Sequence, residues 1–312
     1  MKINKTRVVN DSTVKWISEH WSKEPVVPAN VPGFGFLSIP FDYAVSYRPG
    51  TRFGPQNILE VLSSYSLYCT DKRVSLENTV FYDFGSADIV HSFEQSYANI
   101  REAARDIPPQ FIPIFLGGDH SIGDPLIRGM QDRLGRKKFG LIIFDAHFDS
   151  RDPVPGKEHS GHWMKTLEDV LDYKQVVQLG IDACIYSKHY MDVAEEKGVM
   201  VRTPYEIRKK GWDAIIREAI DHAMSGTEAI YISIDIDAIS HAFAPGTSVP
   251  NAVGLYPYEV IDAVFEIASQ SPVAGLDITE VSPPLDHNNY TSHVGAQIVM
   301  NFMAGAVKRA SL

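Results

Sequence analysis

The sequence predicts one α/β domain of three layers, with helices on both faces of an open, mostly parallel sheet. Three observations predict it. Seven short apolar runs recur along the 312 residues, and most are continuous rather than alternating, as strands covered on both faces require. Stretches with apolar residues at helical spacing lie between them. No Ser/Gly-rich linker divides the chain, so strand and helix patterns alternate within a single unit.

In order, the expected strands are "GFGFLSIP" at 33–40, "TVFYDFG" at 79–85, "FIPIFLGG" at 111–118, "FGLIIFDA" at 139–146, "QVVQLGI" at 175–181, "EAIYISIDID" at 228–237 and "VAGLDI" at 273–278. Expected helices include "FEQSYANIREAARDI", "DAIIREAIDHAM" and "YEVIDAVFEIAS". Residues 1–33 read as an extra helix followed by the Pro-punctuated arm "EPVVPANVPG", and residues 34–312 as the main domain. There is no internal repeat and no low-complexity segment.

Composition narrows the function. A hydrophobic content of 44% with 22% charged residues is that of a soluble globular chain with a substantial core. The net charge of −10 gives no electrostatic reason to expect nucleic acid or an anionic membrane as partner. It fits either an attracted cationic substrate or ordinary solubility. Two cysteines, Cys69 and Cys184, make no disulfide framework and are expected to be buried thiols, which suits a reducing compartment. The amino terminus lacks the apolar segment of a secretory signal, and no run reaches the ~18 apolar residues of a membrane span. The expected location is the cytoplasm.

The chemistry gathers where the strands end, which is where open α/β sheets bind ligands. "FLGGDHS" delivers Asp119 and His120, "FDAHFDSR" delivers Asp145, His147 and Asp149, and "SIDIDAI" delivers Asp235 and Asp237. Side chains at i and i+2 of an extended segment share a face, so the last two motifs each present their acids together. Singly, each motif is explained as well by a solvated strand end or a helix cap. Jointly they bring five aspartates and two histidines to three strand ends of one sheet. Convergence of Asp145, Asp149, Asp235 and Asp237 would cause severe repulsion and desolvation. Two divalent cations cancel four such charges. Oxygen and nitrogen donors suit Mn²⁺ better than a thiolate-loving metal, while nickel, cobalt or zinc would bind them at least as strongly.

The segments "GGDHS", "DAHFD", "SIDIDA…FAPGT" and "GLDITEVSP" resemble the four signature segments of the arginase/agmatinase (ureohydrolase) family, and "SYRPGTRFGPQNI" resembles an early agmatinase-like segment. The resemblance runs over residues 34 to 305. It implies an α/β/α sandwich, a binuclear manganese site of two Mn²⁺ per subunit (with Ni²⁺ an alternative), and homotrimers or homohexamers. By position, His120, Asp145, His147, Asp149, Asp235 and Asp237 are the implied metal ligands. Asp149 is implied to take a proton from a metal-held hydroxide, and Glu280 to pair with the planar cation of a guanidino or amidino substrate. Asp119 is expected to orient a ligand, and Gly117 and Gly118 to permit close backbone packing.

The chain departs from the family in three places. Where relatives place a histidine before a glycine to protonate the leaving amine, "KEHSGHWMKT" has Ser160, flanked by His159 and His162. Arg151 could clamp a substrate carboxylate, whereas Asp182 in "LGIDAC" stands where relatives carry arginine and would favour a cation. The loop "DAISHAFAPGTSVPNAVGL" has Ser240, His241 and Val249 at unusual positions. The expected substrate contacts are therefore Arg151, Ser160, His162, Asp182 and Glu280. The expected reaction is hydrolysis of a C–N bond in a linear amidine, foremost a guanidino compound (agmatine or a guanidino acid) with release of urea. Formimidoylglutamate hydrolysis, nickel-dependent guanidine hydrolysis, a non-catalytic or partner-dependent relative, and a mononuclear zinc deacetylase remain as alternatives.

Overall fold

The computed structural model describes residues 11, 13–135, 138–182 and 184–311. In chain order the elements are β1 (Gly33–Ser38), α1 (Gly54–Ser63), a small hairpin of β2 (Tyr68–Cys69) and β3 (Val74–Ser75), β4 (Val80–Ser86), α2 (Phe93–Asp106), β5 (Phe111–Leu116), α3 (Gly123–Leu134), β6 (Phe139–Phe144), α4 (Trp163–Thr166), β7 (Val176–Leu179), α5 (Lys188–Lys197), β8 (Met200–Arg202), α6 (Pro204–Lys210), α7 (Trp212–Ala223), β9 (Ala229–Asp235), α8 (Pro257–Gln270), β10 (Val273–Thr279) and α9 (Tyr290–Ala310). All seven expected strands form.

Eight strands make one sheet in the order β4–β1–β5–β10–β9–β6–β7–β8. Every neighbouring pair is parallel. The continuous apolar runs follow from this architecture, because alternate residues of a strand face opposite layers. In β6, Ile142 and Phe144 join the core beneath α1, α7, α8 and α9. Phe139, Leu141 and Ile143 of the same strand join the core beneath α2, α3, α4 and α5. Helix starts are set by local chemistry. The Ser92 hydroxyl accepts from the Gln95 amide ahead of α2, and Thr203 with Glu206 forms a capping box ahead of α6.

The amino-terminal expectation needs correction. Ahead of β1, the described residues form a single 3-10 turn at Ile17–Glu19 and otherwise run as irregular chain with turns and bends. Residues 1–10 and 12 lie outside the described residues. The reason is tertiary. The Ile17 amide donates to Tyr65 O at 2.9 Å and the Ser22 amide to Phe81 O at 2.8 Å, so the backbone groups a helix would use are taken by the neighbouring chain. Ile17 is buried and Trp21 packs edge-on against Phe36 and Phe81, which anchors the arm to the sheet. Among the described residues, no helix is long and apolar enough to cross a membrane.

Candidate metal centre

The four central strands β5, β10, β9 and β6 are adjacent, and their carboxyl ends carry the polar residues singled out above. After β5 the chain turns through Gly117 and Gly118. A methyl at Gly118 would lie 1.6 Å from Phe41 O, so this position has room only for glycine. The next amide, of Asp119, donates to Phe41 O at 2.8 Å. Asp119 then caps the turn that carries His120, accepting from the Ser121 amide at 3.0 Å and the Ala44 amide at 2.9 Å. It orients His120 through the backbone of this turn.

The ring of His120 is oriented by residues the motif reading missed. His120 Nε2 lies 3.0 Å from Ser233 Oγ, and Ser233 Oγ donates to Asp277 Oδ1 at 2.8 Å. A hydroxyl has one proton, so giving it to Asp277 leaves Ser233 an acceptor for Nε2–H. Nδ1 is thereby turned toward the carboxylates. A sequence signal existed: Ser233 interrupts an apolar strand two residues before Asp235, on the same face.

His120 Nδ1 faces Asp145 Oδ2 at 3.1 Å, Asp235 Oδ2 at 3.2 Å and Asp149 Oδ2 at 3.4 Å. One nitrogen carries at most one proton and cannot satisfy three carboxylate oxygens. His120 Nδ1 and Asp145 Oδ2 are both buried without a hydrogen-bond partner. Beside this group, His147 Nδ1 lies 3.1 Å from Asp237 Oδ2 and 3.4 Å from Asp145 Oδ1. Asp145 thus offers one oxygen to each set. The donor atoms of His120, Asp145 and Asp149, and those of Asp145, His147 and Asp237, each lie within 4.8 Å of one another, all on buried residues. Two cation sites sharing a carboxylate fit this geometry, and a buried, all-oxygen-and-nitrogen donor set fits hard or borderline divalent ions.

Local turns hold the carboxylates. Asp145 Oδ1 accepts from the His147 amide at 2.6 Å and Asp235 Oδ1 from the Asp237 amide at 2.8 Å, which orients both carboxylates with Oδ2 toward His120. Asp149 adopts φ +47° and Glu280 φ +63°, left-handed conformations that a non-glycine residue enters at some cost. Burial and then the charge of Asp145 push the Asp149 carboxyl up to about 7. Burial and then Asp237 and Asp145 hold Asp235 well above the usual carboxylate range. Burial opposes the His120 imidazolium, but Asp145 and Asp235 outweigh it and raise the group. Such a cluster calls for added positive charge.

Glu280 stands beside the cluster. Its Oε1 accepts from the His120 amide at 2.9 Å and its Oε2 from the Ser248 hydroxyl, and burial pushes it up to about 8. Asp149 Oδ2 accepts from the Trp163 indole at 2.9 Å, another contact not read from sequence. A cleft of about 220 Å³ opens over these groups. Its walls include Arg151, His159, Ser160, Tyr186 and Val249. Arg151 lies over the Tyr186 ring at 5.2 Å and, among the described residues, forms no ion pair. Ser160 is buried with its hydroxyl 2.6 Å from that of Ser46.

Two expected substrate contacts fall elsewhere. Asp182 does not line the cleft, and Asn251 Nδ2 donates to its Oδ1. His162 is also outside it, since its ring stacks behind His159 at 5.2 Å. Of the eleven positions expected to act, the structure brings the six metal-ligand candidates, Glu280, Arg151 and Ser160 to one cleft.

Comparison with known proteins bears on this geometry. The chain is 30% identical over 283 residues to formimidoylglutamase of Bacillus subtilis, with 88% of each chain covered. It is 30% identical to guanidinobutyrase of Pseudomonas aeruginosa over 88% of this chain and 87% of that one. The crystal structure of the Bacillus subtilis formimidoylglutamase superposes with a TM-score of 0.88 at 28% identity, covering 98% of this chain and 95% of that one. The model of the arginase family matches residues 33–305. With that match over most of its length, this chain belongs to the arginase family and is a hydrolase of C–N bonds in linear amidines and guanidines.

Proposed function

We propose that this protein hydrolyses a guanidino acid and releases urea. The observation that carries the reading is Arg151. Among the described residues it is the one arginine in the cleft wall, braced on Tyr186, and no carboxylate pairs with it. A free guanidinium at the mouth of an acidic cleft suits a substrate that brings its own carboxylate. Agmatine would place an ammonium there instead. Asp182, the residue that spoke for a cationic tail, does not line the cleft and is bonded to Asn251.

The donor set names the metal ligands. His120, Asp145, Asp149 and Asp235 would hold one divalent ion and Asp145, His147 and Asp237 the other, with Mn²⁺ the expected metal and Ni²⁺ the alternative. When bound, such a pair supplies ionised water near neutral pH at a fixed position. Glu280 then orients the planar cation of the substrate with a carboxylate already steadied by the His120 amide and Ser248. Asp149, steadied by Trp163, is placed to accept the proton of the attacking water. Ser160 and Ser46 present a hydroxyl pair to the body of the substrate. We place the enzyme in the cytoplasm as a homotrimer or homohexamer, a reading supported by the family and by two free cysteines, Cys69 buried as expected and Cys184 exposed against expectation.

A second reading, formimidoylglutamate hydrolysis, is supported by the relatives of that name. That substrate carries two carboxylates, and the cleft wall offers one arginine. The test is a product assay on metal-loaded protein with guanidinopropionate, guanidinobutyrate, arginine, agmatine, guanidine and formimidoylglutamate, each with Mn²⁺ and Ni²⁺. Urea from a guanidino acid, at the largest kcat/KM of the set, is the expected result. Formamide as the dominant product transfers the assignment to the second reading. Two ions per subunit separate either from a mononuclear deacetylase, and binding without turnover would mark a non-catalytic relative.

A further inference from the structure

Alternate residues of the segment after β6 line two different cavities. His147, Asp149 and Arg151 line the cleft over the donor set, whereas Phe148, Ser150 and Asp152 line a second cavity of about 240 Å³. A single thickness of chain separates the two. The remaining walls of the second cavity come from α4 and the chain after it, from β7 and from α5.

Its floor is apolar and aromatic. Phe148 is 5% and Met164 2% exposed, and Tyr190 stacks on Phe148 with ring centroids 6.3 Å apart. Val193 and Val199 complete it. Its rim carries charges of both signs. Lys165 Nζ lies 2.9 Å from Glu168 Oε1, and Lys197 pairs with the same oxygen while standing 4.9 Å over the Tyr173 ring. Asp152 reaches Lys165 at 3.6 Å from an 88% exposed side chain, and His189 lies edge-on to Tyr190. Two ammonium groups thus share one carboxylate oxygen, and each has further protons to donate.

Two ammoniums and two carboxylates leave the rim no net charge with which to favour a simple anion or cation. They match a zwitterion, whose carboxylate goes to the lysines and whose ammonium goes to Glu168 and Asp152. The aromatic floor takes a flat apolar side chain. We infer that this cavity binds an aromatic α-amino acid, and that the bound molecule steadies Asp149 for its metal. The first half is independent of which amidine the cleft hydrolyses, and the second rests on the reading of Asp149 as a ligand.

The coupling follows from how Asp149 is held. Phe148 and Ser150, on either side of it, line the cavity, and its own carbonyl accepts the amide of a third lining residue, Met164, at 3.0 Å. A fourth, Gln178, donates from Nε2 to the Phe148 carbonyl at 3.1 Å. Asp149 sits at φ +47°, so these contacts are what keep its turn in place. A ring packed on Phe148 and Met164 favours the arrangement in which both are seated, which is the one that assembles the donor set. Linkage then requires Mn²⁺ and the amino acid to tighten each other by the same factor.

The probe is L-phenylalanine, with 3-phenylpropionate and phenethylamine as its two halves, titrated calorimetrically into the Mn²⁺-loaded protein. Expected is one site per subunit with a Kd of about 1 mM or below, and binding of either half weaker by about tenfold or more. Saturating guanidinobutyrate should not displace phenylalanine, because the two occupy different cavities. Val193→Phe, which fills the second cavity, should abolish phenylalanine binding while kcat/KM stays near the wild-type value. Should that variant fold poorly, Glu168→Gln, at the rim, should weaken phenylalanine by about tenfold with the kinetics kept. In metal titrations of the stripped protein, saturating phenylalanine should lower the Mn²⁺ Kd by about fivefold or more. The absence of binding heat, displacement by guanidinobutyrate, equal affinity for 3-phenylpropionate, or full binding by both variants overturns the site. An unchanged Mn²⁺ affinity with phenylalanine bound overturns the coupling. A protein that binds phenylalanine and takes up no Mn²⁺ overturns the reading of the donor set, and the coupling with it, while the site stands.

Discussion

The indole of Trp163 donates to Asp149 Oδ2 at 2.9 Å while its ring packs 4.8 Å from the imidazole of His120. One buried aromatic thus braces two donor residues delivered by different strands. The contact bears on catalysis because Asp149 is both a candidate ligand and the group placed to receive a proton. Trp163→Phe keeps a large aromatic body and deletes the N–H. A hydrogen bond to a charged group is worth about 1.5–3 kcal/mol, so kcat should fall roughly 10- to 100-fold with metal content unchanged. Steady-state kinetics with metal analysis checks this. Loss of both ions together would show instead that the indole supports the site as a whole.

How far the sequence revealed the molecule follows from which forces act locally. The β6 run from Phe139 to Phe144 reads as a strand because both of its faces are buried, and burial on both faces writes a continuous apolar string. The donors were legible because i, i+2 spacing on an extended chain forces side chains together. By contrast β8, three residues at the sheet edge, is too short to carry a pattern. Asp182 was misplaced because a loop side chain goes where distant partners draw it, and Asn251, 69 residues away in the chain, meets it only once the fold has formed. His162 turns its ring against that of His159 in the same short turn, a local rotation that no residue pattern records. The arm before β1 shows the same override, its helical tendency losing to hydrogen bonds with Tyr65 and Phe81.

The chain His120–Ser233–Asp277 leads to a prediction about affinity. Its three side chains are 0 to 1% exposed, so solvent cannot replace a missing partner. Ser233→Ala frees Nε2 and lets the ring take the other tautomer, which would set a proton on the nitrogen facing the centre. Metal affinity at the site holding His120 should weaken by about 10- to 100-fold, while the site of His147 keeps its ion. Metal titration of the stripped protein followed by calorimetry resolves the two sites. Equal weakening of both would indicate general loosening of β9.

Arg151 makes a prediction about selectivity. Arg151→Met retains a long side chain against Tyr186 and removes the charge. For a guanidino acid, kcat/KM should fall by about 10- to 100-fold, the worth of a charged hydrogen bond. For an alkylguanidine of the same length it should hold or rise. A uniform loss across both substrates would assign Arg151 to holding the loop rather than reading the carboxylate.

The acid cluster makes the stability of the metal-free protein depend on pH in a direction opposite to acid denaturation. Burial, and then the charge of Asp145, raise Asp149 from 3.8 to about 7, and Asp235 is raised as well, by burial and then by Asp237 and Asp145. Between 3.8 and about 7 these carboxyls bind more protons in the folded chain than in the unfolded one, so stability falls as pH rises through that window. Burial opposes the His147 imidazolium, but Asp237 and Asp145 prevail and raise it. Its contribution is fully present below 6.5 and is lost as pH climbs through its folded value. Asp145 opposes the trend, because His120 and His147 lower it against its own burial, yet its contribution changes only as pH falls below 3.8. Divalent ions compete with protons for the same atoms and bind better as those atoms ionise. In chelator, the melting temperature should therefore decline from about pH 5 to about pH 7.5, and saturating Mn²⁺ should raise it by an increment that widens over the same range. Differential scanning fluorimetry at matched ionic strength measures both curves. An increment independent of pH would place the ions on groups other than this cluster.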